Sequence, residues 1–199
     1  DNVATWVNTV ENGWLPFQEY FVRERCSPRV ISFEFRGAAQ AQPALGVVEA
    51  LESADWVILC PSNPWVSIDP ILSIHPIARV IQNKPVVAVS PIVGGKAIKG
   101  PAAKMYQEMG IEPSAAAVSA HYRKRLREGH VFRSGEQAHV QPKFVFFIDS
   151  IDSDLAEPIL RDGMEVIVTN TVMNSIEDRE QLAREILTAC GYKAQGGKE

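Results

Sequence analysis

The chain has 199 residues, 46 % of them apolar and 22 % charged, with 13 Gly and 13 Pro. This composition excludes collagenous, low-complexity and strongly disordered classes, and it predicts a single domain over 1–199 with core enough to fold without disulfides or metal. Twenty Lys and Arg against 24 Asp and Glu give a net charge of −4, opposite in sign to a dedicated nucleic-acid coat, so no nucleic-acid partner is expected.

In chain order, 6–18 has a poor period and reads as a loop or irregular region. A strand is predicted at 30–35 (VISFEF), a helix at 43–53, a strand at 56–60 (WVILC), a helix at 70–81 and a strand at 85–90 (PVVAVS). Helices follow at 101–109 and 114–127, then a polar, aperiodic surface loop over 128–140. A strand at 144–149 (FVFFID), a helix at 155–161, a strand at 166–171 (VIVTNT) and a helix at 176–190 complete the series. In the last helix Ile176, Leu182, Ala183, Ile186 and Leu187 take one side, with Glu177, Arg179, Glu180 and Arg184 elsewhere. Asn174 or Ser175 suits its N-cap and Gly191 its C-cap, and 192–199 reads as a frayed tail. Alternating strands and helices predict an α/β fold with a parallel sheet. The runs VILC and VVAV, apolar on both faces, predict strands covered by helices on each side.

No run of about 18 apolar residues occurs, and the N-terminus DNVATWV lacks the basic and apolar regions of a signal peptide, so neither membrane spanning nor secretion is expected. Cys26, Cys60 and Cys190 show no C-x-x-C spacing, which suggests neither a disulfide framework nor a zinc site and fits a reducing cytoplasm. A chain that begins with Asp rather than Met reads as a fragment or a processed chain.

In a parallel sheet, ligands collect beyond the carboxyl ends of the strands, so the exit loops are the place to look. The loop after 56–60 sets Pro61, Ser62 and Asn63 before Pro64, with Ser67 beyond. It suits either a turn with a helix cap at Ser67 or a rigid presentation of Ser62 and Asn63 to a ligand. The loop from Ser90 carries Gly94, Gly95, Lys96, Lys99 and Gly100. Adjacent glycines let main-chain N–H groups approach an anion while two lysines supply charge, and the alternative is a glycine turn with solvated lysines. This is not a Walker A loop, which needs G-x-x-x-x-G-K-[ST]. In the run HYRKRLR (121–127), Val118, Tyr122 and Leu126 form an apolar stripe, which favours a solvated helical face over a phosphate site. Asp149, Asp152 and Asp154 read as caps at a strand-to-helix junction in preference to a metal cluster. His75, His121, His130 and His139 have no metal-ligand spacing. Trp14, Phe17, Tyr20 and Phe21 suit either the core or stacking on a flat ring.

CPSNPWVSIDPIL followed by VVAVSPIVGGKAIKGPAAKMYQEMG resembles the 2-phospho-L-lactate transferase family, CofD, of coenzyme F420 biosynthesis. WLPFQEYFVRER, GMEVIVTNTVM and SIEDREQLAREIL extend the resemblance over nearly the whole chain. It implies a Rossmann-like three-layer sandwich, a mostly parallel sheet flanked by helices, of which roughly the N-terminal third of the family's protein is missing here. It also implies Mg²⁺-dependent transfer of a phospholactyl or phosphoenolpyruvyl group from a guanosine-diphosphate-activated donor to the deazaflavin Fo, with release of GMP. Lys96 and Lys99 would then neutralise phosphate charge. Pro61, Ser62, Asn63, Ser67, Ser90, Gly94, Gly95 and Gly100 would cradle the donor, and Tyr20, Phe21, Arg23, Thr169, Asn170 and Thr171 would line the acceptor pocket. The metal ligands stay unassigned, and the resemblance allows a homodimer. Asp69 departs from the glycine more usual in the family, and His75-Pro76 from a usual Pro-Gly. The related YvcK-like nucleotide or nucleotide-sugar binding regulators are the alternative, and the FQEYFVR segment favours the transferase.

Overall fold

A computed structural model describes residues 2–127 and 142–192. The expectations for 128–140 and for the tail beyond Tyr192 lie outside these residues. The chain starts with β1 (Ala4–Thr9) and β2 (Gly13–Pro16), a hairpin to which β3 (Val30–Arg36) adds antiparallel, in the order β2–β1–β3. The region expected to be irregular is therefore largely strand. Its alternation is hidden because both faces carry apolar residues. Val7 and Leu15 point into the core, while Trp6 and Trp14 stand on the outer face, where the Arg36 guanidinium lies 3.7 Å and 5.6 Å from their ring centroids.

The helix expected at 43–53 is shorter: α1 (Val47–Ser53) starts after Gly46, whose φ of 83° no right-handed helix accommodates. The strand β4 (Val57–Leu59) follows. The single helix expected at 70–81 is two, α2 (Asp69–Leu72) and α3 (His75–Ile81), separated by Ile74 in an extended conformation. Pro76 is the cause: it has no N–H to give the Leu72 carbonyl, and its ring would clash with that carbonyl in a continuous helix. Next come β5 (Val86–Val89), the short strands β6 (Ile92–Val93) and β7 (Lys96–Ala97), α4 (Ala102–Glu108) and α5 (Ala115–Arg127). The last elements are β8 (Phe144–Asp149), α6 (Ala156–Arg161), β9 (Glu165–Thr169) and α7 (Ile176–Ala189).

Strands β4, β5, β8 and β9 form one parallel sheet in that order. The helices of its three crossovers share one face. Residues from α2 to α6 (Leu72, Ile77, Met105, Tyr122 and Ile159) pack with Val86, Ala88, Phe144, Phe146 and Ile148. Crossovers of one hand between strands added in one direction must fall on one side. The opposite face, Val87, Val89, Val145 and Phe147, packs against Leu182 and Ile186 of α7. The result is the expected Rossmann-like sandwich, with β8 at its heart and every β8 residue buried. Among the described residues no helix is long and apolar enough to cross a membrane.

Helix α7 begins with a capping box. Ser175 Oγ accepts the Asp178 N–H at 3.1 Å, and Asp178 returns a carboxylate to the Ser175 N–H at 2.9 Å. It ends with Gly191 N–H on Thr188 O and Tyr192 N–H on Leu187 O, both at 2.9 Å, a Schellman closure.

Candidate functional site

A cleft of ≈ 710 Å³ opens where β4, β5 and β9 end, the edge at which exit loops converge in a parallel sheet. Its wall runs from the β4 exit (Pro61, Ser62, Asn63) across Ser90 and Pro91 to Lys99, Gly100 and Pro101, and on to Thr171, Val172 and Met173. Phe17, Phe21 and Val66 form an apolar side. Among the described residues, the charged ones lining the cleft are Lys99 and Arg179, and none is Asp or Glu, although acids outnumber bases in the chain, 24 to 20.

The β4 exit is held by its own amide. Asn63 Oδ1 accepts the N–H groups of Trp65 (3.0 Å) and Val66 (3.4 Å), and its Nδ2 lies 3.2 Å from Met105 Sδ. Asn63 is thus the helix cap that was expected at Ser67, and Pro64 at the first helical position fits it. With Asn63 so engaged, the Ser62 and Ser67 hydroxyls are the groups this loop can turn toward a ligand. Behind it, buried Asp69 accepts from Arg125 Nε at 3.1 Å and sits 3.0 Å from His121 Nε2. The helix over HYRKRLR buries Val118, Tyr122 and Leu126 as its stripe predicts. Its polar face is not simply solvated, because His121 and Arg125 clamp the exit loop to α5.

The glycine loop has a different geometry from the expected anion cradle. Gly94 and Gly95, at φ 55° and 73°, are the two-residue turn of the β6–β7 hairpin, the geometry that demands φ > 0 at both positions. The Gly94 N–H already serves an anion of the chain itself, both Asp152 oxygens at 3.0 and 3.1 Å. Lys96, exposed on β7, is outside the cleft lining, as are Gly94 and Gly95. Lys99 and Gly100 are within it. The Ser90 hydroxyl is used locally, donating to Ile92 O at 2.8 Å.

At the β9 exit Asp149 fixes Thr171, accepting its N–H at 2.8 Å and its Oγ1–H at 3.1 Å, and accepts the Ile151 N–H at 3.2 Å. Asp149 is therefore a cap, as expected, whereas Asp152 lies inside a short helical segment and its carboxylate holds the Gly94 N–H of the β6–β7 turn. Burial pushes the Asp152 carboxyl above its ordinary value, the Gly94 N–H opposes that shift, and Asp149 and Asp154 add to it. Thr171 reaches the cleft. Thr169 ends β9, and Asn170 shapes the loop, accepting the Val172 N–H at 3.1 Å.

Of the aromatic candidates, Phe17 and Phe21 stack on each other with centroids 5.5 Å apart and line the cleft. Tyr20 is fully buried in the core, and burial drives its phenol pKa upward. Arg23 pairs with Glu19 and, at 2.7 Å, with Glu24. Tyr20 and Arg23 thus lie outside the cleft lining that Phe21 and Thr171 share. The residue that reasoning missed is Arg179. It sits in the first turns of α7, three residues before Leu182 and seven before Ile186, so it continues the buried stripe past the sheet and over the cleft. The signal was a cation interrupting an apolar stripe near a helix start. Ile176 and Leu187, which were placed on that stripe, are instead 66 % and 46 % exposed.

Among the described residues no three His, Cys, Asp or Glu come together as metal ligands, and none lining the cleft is a carboxylate. The described residues assign no ligand to the Mg²⁺ implied by the resemblance, and no step is assigned through it.

The chain is 35 % identical over 188 residues to the 2-phospho-L-lactate transferase of Methanococcoides burtonii, an alignment covering 94 % of this chain and 56 % of that protein. It is 37 % identical over 187 residues to the 2-phospho-L-lactate transferase of Methanopyrus kandleri, covering 94 % and 54 %. With the phosphoenolpyruvate transferase of Streptomyces coelicolor it shares 36 % identity over 174 residues, covering 86 % and 50 %. The chain spans about half the length of the curated relatives it matches. A crystal structure of a Bacillus halodurans protein superposes with a TM-score of 0.57 at 11 % identity, covering 94 % of this chain and 59 % of that one, and so shares the fold. Residues 1–185 match the family described as 2-phospho-L-lactate transferase CofD, and the chain belongs to that family.

Proposed function

We propose that the strand-exit cleft binds the phosphate-bearing donor of a group transfer, and that the whole protein moves a phospholactyl or phosphoenolpyruvyl group from a guanosine-diphosphate-activated donor to the deazaflavin Fo, releasing GMP. The observation that carries this reading is the cleft wall: among the described residues it holds two cations and no carboxylate, in a net-acidic chain. Such a wall favours a polyanion and disfavours a cationic ligand. Lys99 neutralises phosphate charge, and Ser62 and Ser67 donate to phosphate oxygens. The Phe17–Phe21 pair and Val66 give the flat acceptor ring an apolar surface. Phosphoryl-type transfer depends on positioning and charge neutralisation, so no covalent nucleophile is required.

The test is turnover by the full-length protein with Fo, Mg²⁺ and lactyl- or enolpyruvyl-diphosphoguanosine, followed by mass spectrometry of the adduct and GMP. Wild type is expected to give product with one donor, and Lys99→Ala to lower kcat/KM by about a hundredfold, the scale of losing one preorganised charge-stabilising group. Absence of wild-type product with GDP binding intact would replace the transferase reading with a nucleotide-binding regulator. Product formation unaffected in Lys99→Ala would remove Lys99 from the site.

A further inference from the structure

The two cations of the cleft differ in chemistry and in setting. Lys99 is a point charge on the loop leading into α4, and Ser62 and Ser67 also line the cleft. Arg179 is a planar fork on α7 and lines the same cleft as Thr171, Val172 and Met173. It lies four residues after the Ser175 cap, near the positive end of the helix dipole, where a cation is disfavoured. Its sequence neighbours Glu177, Asp178 and Glu180 are acidic, but Asp178 is engaged with the N–H groups of Asn174 and Ser175, and the residues four before and four after, Ser175 and Ala183, offer no ion pair. Arg179 has no ion-pair or hydrogen-bond partner among the described residues. A residue that breaks a local rule while facing a cleft marks a functional position.

Resting on the transferase reading, we infer that Arg179 is a specificity-determining residue that reads the carboxylate of the three-carbon acid, while Lys99 and the serine hydroxyls hold its phosphate. Phospholactate and phosphoenolpyruvate, the groups that name the relatives, each carry one phosphate and one carboxylate. A tetrahedral phosphate needs several donors from different directions, which the Lys99 side supplies. A carboxylate is satisfied by one bidentate guanidinium, and the adjoining methyl or methylene suits Val172 and Met173.

The experiment is calorimetric binding of 2-phospho-L-lactate and of ethyl phosphate, the same molecule without its carboxylate, to the full-length protein. Wild type is expected to prefer phospholactate by tenfold or more, the size of a charge-assisted hydrogen bond, about 10- to 100-fold. Arg179→Gln is expected to bring the two affinities within about threefold while ethyl phosphate binding holds, whereas Lys99→Gln weakens both ligands together. Arg179→Lys keeps the charge without the fork and is expected to restore the preference only in part. Equal weakening of both ligands by Arg179→Gln, an unchanged preference, or full restoration by Arg179→Lys would each overturn the inference and leave the transferase reading standing. Failure of wild type to bind either anion would overturn both.

Discussion

A single buried carboxylate shows how this site trades charge for shape. Asp152 is 6 % exposed and fastens the β6–β7 turn through the Gly94 N–H, yet its folded pKa lies above the unfolded value because burial opposes ionisation. The folded state therefore binds the proton more tightly than the unfolded chain. The stability this contributes is complete below about pH 4 and is lost as pH rises through the raised folded value. Asp152→Asn keeps an oxygen for Gly94 and removes the titration. Its melting temperature relative to wild type is expected to climb between pH 4 and pH 7, and a relative fall would show that the ionised carboxylate stabilises the turn. At this scale the sequence was partly readable. Asp149 announced itself as a cap because a short carboxylate ending a strand before a helix commonly takes that place, but the reach of Asp152 to the β6–β7 turn did not show in the sequence. Arg179 did not, since periodicity assigns a cation to the solvent side of a helix, and only the sheet's end shows that the stripe runs on into a cleft.

Helix α7 holds two parts of the site together, because its capping box fixes Asp178, and Asp178 in turn meets Asn170 at 3.4 Å beside the Thr171 loop. Ser175→Ala removes the acceptor for the Asp178 N–H and is expected to cost about 1 kcal/mol. Urea denaturation should show a lower midpoint at unchanged slope, and an unmoved midpoint would mean the cap is redundant. Most elements were legible in outline, because β5 and β8 are unbroken apolar runs and α7 has clear caps. Those misread share one trait, a local residue overruling a plausible pattern: Gly46 shortens α1, Pro76 splits α2 from α3, and Trp6 and Trp14 disguise the outer face of the β1–β2 hairpin. The glycine loop was the subtler case. Adjacent glycines serve an anion cradle and a tight hairpin equally well, and only the pairing of Ile92 with Ala97 decides for the hairpin.

Across the whole molecule, the β8 strand is where both layers meet, so packing damage there cannot be confined to one face. Phe146 is fully buried, with its ring 6.5 Å from that of Tyr122. Phe146→Ala is expected to cost about 3–5 kcal/mol, a large part of a typical domain's total. A loss under 1 kcal/mol by calorimetry would mean that the core refills the space. The parallel sheet and its helical cover followed from alternation alone, since strand order and crossover hand leave few arrangements open. The location of the cleft followed too, as the sheet's carboxyl edge. The division of labour between the sheet's two faces has a further consequence, for synthesis. All four strands and every crossover helix leave the ribosome before residues 176–189 do. Until α7 arrives, Val87, Val89, Val145 and Phe147 form a bare apolar plane on an otherwise assembled sheet. The nascent protein thus passes through an interval in which one face is finished and the other is sticky, a natural moment for chaperone attachment and for self-association.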